Sequence, residues 1–186
     1  MPYKNFAVIT LIFFLSIGCK SHIKKIENTI RKFQSHPITI HTTDYIVFCS
    51  DSTYNVQDID EATLKYICYV DSTECSPCVL KKAFKWNDYI CKFRKHNKKI
   101  TFTYIISSKN SDDIITQARE SGFCQTVFID TSGVFSKQNP HIPKESMYHI
   151  FLLDENNRII LVGNPLTNKG IEKAFFKIAK IKLSSP

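Results

Sequence analysis

The sequence predicts an α/β domain with a central mixed β-sheet flanked by helices. Apolar, β-branched and aromatic runs typical of buried strands alternate with amphipathic helical patterns, which favours parallel strands joined by helical crossovers. Near the carboxyl end, two such runs flank the turn Glu155-Asn156-Asn157, which predicts an antiparallel hairpin before a last helix. With 186 residues, 43% of them hydrophobic, the chain suits one domain with a substantial core and an amino-terminal appendage.

The amino terminus has the pattern of an export signal. Lys4 gives a short positive start, and residues 6–17 form an almost unbroken apolar run that is too short for a comfortable membrane span. Gly18 followed by Cys19 resembles the bacterial lipobox, in which the cysteine is lipid-modified and becomes the mature amino terminus. Residues 1–18 are therefore expected to be a lipoprotein-type signal peptide, with membrane lipid attached through Cys19. Ordinary cleavage and an uncleaved anchor are the alternatives.

The segment after Cys19 predicts an amphipathic helix. Apolar residues recur at helical spacing through residues 20–35, and Pro37 ends the pattern. Residues 19–37 are expected to form a lipid anchor and a tether helix, which either packs on the domain or lies along the membrane. The net charge of the chain is +8, which we interpret as attraction to an anionic membrane surface or as ordinary solvated faces. We expect no nucleic-acid partner, because an exported chain without interleaved exposed aromatic side chains is a poor match for one.

Residues 38–186 are predicted to form the domain. It would begin with a β-hairpin over Ile38–His41 and Tyr45–Cys49, followed by a polar stretch with a short helical turn. The remaining elements are predicted, in chain order, as a strand at Tyr66–Val70, a helix reaching about Lys95, a strand at Ile100–Ser107, a helix from Ser111 to about Ser121, strands at Thr126–Asp130, His149–Asp154 and Arg158–Val162, and a helix after Thr167 or Asn168.

The chain is organised around Cys75-Ser76-Pro77-Cys78, which follows a buried strand and a short polar turn and opens a helical pattern. At a helix start, the sulfur of Cys75 would face unpaired backbone N–H groups and the positive end of the helix dipole, and both favour the thiolate. Cys75 is therefore the candidate nucleophile. Cys78, on the same helical face and one turn deeper, is the candidate resolving thiol. Exchange between two thiols requires no metal or organic cofactor.

At these residues the chain resembles the thioredoxin superfamily, and within it the membrane-tethered, periplasm-facing thiol-disulfide oxidoreductases of the TlpA/ResA type. The resemblance covers roughly residues 38–182 as an order of elements, and as a motif it rests on the cysteine pair in its strand-to-helix context. It implies a thioredoxin-like fold with an amino-terminal hairpin extension, and disulfide exchange with protein thiols or disulfides in the periplasm. It also implies a second partner, a membrane thiol donor or acceptor. The direction of electron flow stays open, although the family favours a reductant.

Three positions depart from the family pattern. Glu74 stands where the family usually has an aromatic residue, and its negative charge would oppose formation of the Cys75 thiolate. Tyr69 stands six positions before Cys75, where many members carry a buried acid that relays protons. The family's cis-proline position is held by Met147 or Tyr148. These departures favour the alternative function, a redox-inactive lipoprotein of the same fold that acts as a binding or scaffold protein and whose motif disulfide is structural.

Other cysteines and histidines offer further chemistry. Four cysteines are expected to be small buried residues, or else to include a second structural disulfide whose pairing the sequence does not choose. They are Cys49, Cys68, Cys91 and Cys124. A metal site would need two ligands beyond the motif, and the candidates show no second paired spacing. These candidates are Cys91, Cys124, His141 and His149.

Two further possibilities concern the chemistry of the motif itself. His149 falls near the predicted active-site loop, where it could move a proton to or from Cys78, or it could be a strand-edge histidine without a role. A peroxide-reducing activity is less favoured, because the sequence shows no supporting arrangement of threonine and arginine.

Overall fold

The structure is a computed structural model that describes four stretches of the chain, namely residues 21–49, 58–90, 99–122 and 125–183. The predicted signal segment with Cys19 lies outside the described residues, as do Cys91 and Cys124. Among the described helices, none has the length and apolar character needed to cross a membrane.

The described residues form six strands, several α-helices and short 3₁₀ turns. The strands are β1 (Ile46–Cys49), β2 (Leu64–Val70), β3 (Ile100–Ser107), β4 (Thr126–Asp130), β5 (Ile150–Asp154) and β6 (Ile159–Val162). The helices are α1 (21–33), α2 (Asp58–Glu61), α3 (Ser76–Ala83), α4 (Ser111–Glu120), α5 (Val134–Gln138) and α6 (Lys169–Leu183). The 3₁₀ turns are Thr42–Asp44, Phe84–Trp86 and Ser146–Tyr148, and the second of these leads from α3 into further helical residues, 87–90.

All six strands belong to one mixed sheet, in the order β1-β4-β3-β2-β5-β6. The neighbours β2, β3 and β4 are parallel, with α3 and α4 on the connections between them. In contrast, β1, β5 and β6 run antiparallel to the strands beside them. Every residue of β2 is buried, as expected for a central strand covered on both faces. The predicted α/β architecture with a central mixed sheet and flanking helices is confirmed.

The strand β2 divides its side chains between two cores because successive residues of a strand point to opposite faces. Tyr66 and Cys68 pack in the core that includes residues of α3, α4 and α6. Ile67 and Tyr69 pack in the second core, together with residues of α5 and with Phe33 from the end of α1. The carboxyl end of β2, which leads through a short turn to the cysteine motif, therefore packs against both cores.

The helix α1 packs on the sheet through its last turns. Phe33 is 1% exposed, and its ring meets that of Phe151 edge to face, with centroids 5.4 Å apart. Ile26 and Ile30 are partly buried on the same core, whereas Ile23 nearer the amino end is 51% exposed. The carboxyl-terminal part of the described helix is thus bound to the domain. Its role as a membrane tether and the predicted domain boundaries stay predictions.

The predicted amino-terminal hairpin is wrong. Residues 38–41 form no strand, and β1 pairs with β4 at the edge of the sheet. The physical reason is that the backbone of this segment is bonded elsewhere. The N–H of Ile38 donates to the carbonyl oxygen of Asn157 at 2.9 Å, and Thr39 exchanges two hydrogen bonds with the side chain of Asn139. These contacts take the groups that a hairpin would use.

The side chain of Asn139 joins the residues before β1 to the rest of the domain by hydrogen bonds. Its buried side chain accepts a hydrogen bond from the N–H of Thr39 at 2.8 Å and donates to the carbonyl oxygens of Thr39 and Phe135, each at 2.9 Å. We expect Asn139→Ala to lower the free energy of unfolding by about 2–4 kcal/mol, because three hydrogen bonds are lost and backbone groups are left without partners. Urea unfolding followed by circular dichroism would measure the loss. Asn156→Ala, at an exposed turn position, is the control, and its free energy of unfolding should stay within about 0.5 kcal/mol of that of the parent protein. Equal stability of the two variants would contradict the stabilising role of the Asn139 side chain.

Candidate active site

The cysteine pair lies where β2 ends and α3 begins. The intervening turn is closed by the N–H of Glu74, which donates to the carbonyl oxygen of Asp71 at 2.9 Å. Cys75 is the N-cap residue of α3, and Pro77 lies in its first turn, where a missing N–H is tolerated. The strand, turn and helix expected around the motif are therefore present.

Cys75 and Cys78 form a disulfide, with their Cα atoms 5.2 Å apart. The sulfur of Cys75 accepts a hydrogen bond from the backbone N–H of Cys78 at 3.3 Å, so it faces the first turn of the helix as expected. Both cysteines are exposed, which corrects the expectation that Cys78 lies deeper. The reason is that Cys78 is still in the first turn of α3, at the surface end of the helix. The two exposed residues differ in their position relative to the helix start.

The turn before Cys75 is built around the carboxylate of Asp71. One oxygen accepts hydrogen bonds from the N–H and the hydroxyl of Thr73, each at 2.9 Å, and the other accepts the hydroxyl of Tyr69 at 3.1 Å. Burial acts to raise the pKa of Asp71, but these hydrogen bonds and the nearby His149 outweigh it and leave the pKa below its ordinary value. Asp71 is therefore an ionised carboxylate that orders the turn.

Tyr69 occupies the position where the resembled family often has a buried acid. Its ring packs between those of Phe135 and His149, with centroid distances of 4.9 and 5.0 Å. Burial raises the pKa of Tyr69, and its hydroxyl donates to Asp71. Since the hydroxyl stays protonated at neutral pH, Tyr69 does not replace a carboxylate as a proton acceptor.

His149 meets Glu74, the residue directly before Cys75. The Nδ1 atom of His149 lies 2.6 Å from the Oε1 atom of Glu74, and its Nε2 atom lies 2.8 Å from the carbonyl oxygen of Pro143. The backbone carbonyl of His149 accepts the N–H of Tyr69 at 2.9 Å, which fixes this residue at the carboxyl end of β2. Glu74 is therefore a paired carboxylate and not the isolated negative charge that the sequence led us to expect.

The loop before β5 carries the residues at the predicted cis-proline position. Met147 is 59% exposed and Tyr148 is 5% exposed, and both lie in a 3₁₀ turn. Within the four described stretches, no peptide bond is cis. Met147 thus presents an apolar side chain to solvent two residues before His149.

The remaining described cysteines lie in the sheet. Cys68 on β2 is a thiol that is 4% exposed. Its burial, together with the charge of Glu74, raises its pKa to about 12, although a hydrogen bond with Tyr104 acts in the opposite direction. The sulfur of Cys49 on β1 lies 3.9 Å from the hydroxyl oxygen of Thr126. Among the described residues, no group of three or more histidine, cysteine, aspartate or glutamate side chains is placed to hold a metal ion.

Comparison with solved structures identifies the fold. A thioredoxin-like protein solved in its oxidized form aligns with a TM-score of 0.53 at 12% identity, over 77% of this chain and 97% of that one. A putative protein disulfide isomerase from Bacteroides thetaiotaomicron aligns with a TM-score of 0.50 at 16% identity, over 68% of this chain and 77% of that one. A putative thiol:disulfide interchange protein DsbE from Chlorobium tepidum aligns with a TM-score of 0.48 at 19% identity, over 63% and 81%. No protein-family model and no curated protein matches the sequence. The first two alignments show that the chain has a thioredoxin-like fold, as predicted.

Proposed function

We propose that this protein is an exported, membrane-anchored thiol-disulfide oxidoreductase that exchanges disulfides with periplasmic protein thiols through Cys75 and Cys78. The observation that carries the proposal is an exposed disulfide at the amino end of α3, in which the sulfur of Cys75 accepts the N–H of Cys78. A thiolate at Cys75 would keep this hydrogen bond and meet the positive end of the helix dipole. The site therefore favours the reactive form of a nucleophilic cysteine.

Exchange needs only the two cysteines and a substrate. The Cys75 thiolate attacks one sulfur of a substrate disulfide, which forms a mixed disulfide and releases the other substrate sulfur as a thiolate. Cys78 then gives up its proton and attacks the sulfur of Cys75, which closes the Cys75–Cys78 disulfide and releases the second substrate thiolate. Two electrons pass to the substrate, and each released thiolate takes up a proton. The reverse sequence oxidises a substrate dithiol, so the same site serves either direction.

The location and partners in this proposal come from the amino-terminal sequence and from the family resemblance. Residues 1–18 would direct export, and lipid on Cys19 would hold the domain at a membrane and facing the periplasm. A membrane thiol donor or acceptor would return the cysteine pair to its working redox state after each turnover.

A redox titration tests the proposal. Full-length protein in detergent is equilibrated with glutathione buffers of increasing oxidation, free thiols are alkylated, and the modified residues are located by mass spectrometry. We expect a two-electron transition confined to Cys75 and Cys78, between about −120 and −270 mV. A pair that stays oxidised below about −300 mV would be structural. That result would favour the alternative function, a binding or scaffold protein with a structural disulfide. Two features of the sequence support this alternative, namely Tyr69 and the absence of a proline at Met147 and Tyr148.

A further inference from the structure

The contact between Glu74 and His149 lies beside the cysteine pair, and the exchange steps above do not use it. Both ring nitrogens of His149 face acceptors, because Nδ1 meets the carboxyl of Glu74 and Nε2 meets the carbonyl oxygen of Pro143. A carbonyl oxygen only accepts, so Nε2 must carry a hydrogen. A second hydrogen must then lie between Nδ1 and the carboxyl oxygen, on one atom or the other. In either case the two side chains together carry no net charge.

Both contacts of the His149 ring are hydrogen bonds only while the shared hydrogen is present. Without it, the lone pair of Nδ1 would face the carboxylate of Glu74, where the histidine side chain is 4% exposed and water does not separate charges well. Moving the remaining ring hydrogen to Nδ1 would only place the lone pair of Nε2 against the carbonyl oxygen of Pro143.

The titratable groups around the pair are one ionised carboxylate and two groups that keep their protons. Asp71 is an ionised carboxylate on the adjoining turn, and its backbone N–H lies 3.4 Å from the same carboxyl oxygen of Glu74. Tyr69 on β2 keeps its proton while its ring packs against the imidazole of His149. Cys68, also on β2, is a protonated thiol at neutral pH.

We propose that His149 is a positioning residue that sets the redox equilibrium of the cysteine pair by cancelling the charge of Glu74. The inference rests on the proposed function, since it concerns the thiolate of Cys75. Glu74 is covalently adjacent to Cys75, and an unpaired carboxylate there would repel the thiolate. Repulsion destabilises the reduced state but not the neutral disulfide, so without His149 the pair would be harder to reduce. With His149 in place, glutamate at this position no longer opposes the nucleophile.

A double-mutant cycle tests this role in the full-length protein. His149→Gln keeps a donor for the carbonyl oxygen of Pro143 and removes the ring nitrogen that shares a hydrogen with Glu74. We expect it to lower the ratio of thiolate to thiol at Cys75 about tenfold at any fixed pH. At pH values where the thiolate is the main reduced form, the equilibrium constant for reduction should fall by up to the same factor, which for a two-electron couple is a shift of up to about 30 mV to more negative potential. Glu74→Gln should not lower the thiolate population, and the double variant should match Glu74→Gln.

The readouts are the pH profile of Cys75 alkylation, followed by mass spectrometry, and the glutathione equilibrium at pH values below and above the midpoint of that profile. Glu145→Gln, at an exposed position in the loop that carries His149, is the matched control for loss of one negative charge. Circular dichroism checks folding, and His149→Asn supplies a second neutral side chain if glutamine is not accommodated.

The outcomes separate a charge role from a structural one. If His149 only supports the loop, His149→Gln should lower the thiolate population equally in the parent protein and in the Glu74→Gln background. That result would overturn the inference. An alkylation profile that is unchanged in His149→Gln would also overturn it. The alkylation profile is measurable in reduced protein even if the chain exchanges no disulfides. Failure of the proposed function and failure of this inference are therefore distinguishable.

Discussion

Cys75→Ser is expected to reduce the rate of disulfide exchange by about three orders of magnitude or more, to the rate of the reaction without protein. A serine hydroxyl neither ionises near neutral pH nor forms a disulfide, so neither the first attack nor the mixed disulfide is possible. The measurement is turnover of a peptide disulfide substrate by the full-length protein with a reduced thiol donor. A Cys75→Ser protein that exchanged disulfides at the parent rate would remove Cys75 from the mechanism.

Cys78→Ser is the matched variant, because it removes the other sulfur of the same disulfide and leaves the first step intact. It should lose turnover yet accumulate a mixed disulfide between Cys75 and the substrate, visible as a mass increase that a reductant reverses. Since both cysteines are exposed, the assignment of roles rests on the hydrogen bond from the N–H of Cys78 to the sulfur of Cys75. Trapping by Cys75→Ser and not by Cys78→Ser would reverse the roles.

The elements that the sequence predicted well are those determined by their own residues. Ile100–Ser107 and Thr126–Asp130 have the predicted bounds, because each consists mostly of apolar, aromatic and threonine residues and is followed by turn residues. The amino-terminal hairpin failed because the partners of its backbone are distant in the chain. Asn139 lies 100 residues after Thr39, and nothing in the short-range pattern at 38–41 indicates that contact.

The candidate site also has a part that the sequence predicted and a part that it did not. The helix start at Cys75 was predictable because the strand, the turn and the helix are contiguous in sequence. The pairing of Glu74 with His149 was not, because it joins residues 75 positions apart and depends on which strands are neighbours. β2 and β5 pair antiparallel with Cys68 opposite Ile150, and this register brings the residue before β5 to the turn after β2. The available signal was the histidine at the start of the strand predicted at His149–Asp154.

Cys68 is expected to remain unmodified in the folded protein under conditions that alkylate Cys75. Its pKa of about 12, against 9.0 for an ordinary cysteine, leaves about a thousandfold less thiolate at pH 8, and its side chain is 4% exposed. Reduced protein treated with iodoacetamide at pH 8 should carry the label on Cys75 and acquire it on Cys68 only after unfolding. Label on Cys68 in the folded protein would contradict the buried, protonated state.

The same raised pKa links Cys68 to stability in alkaline solution. Above pH 9 the unfolded chain releases the proton of Cys68 while the folded chain keeps it, so unfolding becomes more favourable as pH rises towards 12. The stabilising contribution is complete below about pH 9, and about 2 kcal/mol should be lost by pH 10.5. Urea unfolding of Cys68→Ala and its parent, both carrying Cys75→Ser and Cys78→Ser to prevent exchange with the motif, should show the shallower pH dependence in Cys68→Ala. Equal slopes would mean that the thiol titrates alike in both states, and Cys68 would then compete with Cys75 and Cys78 in any redox titration of this protein.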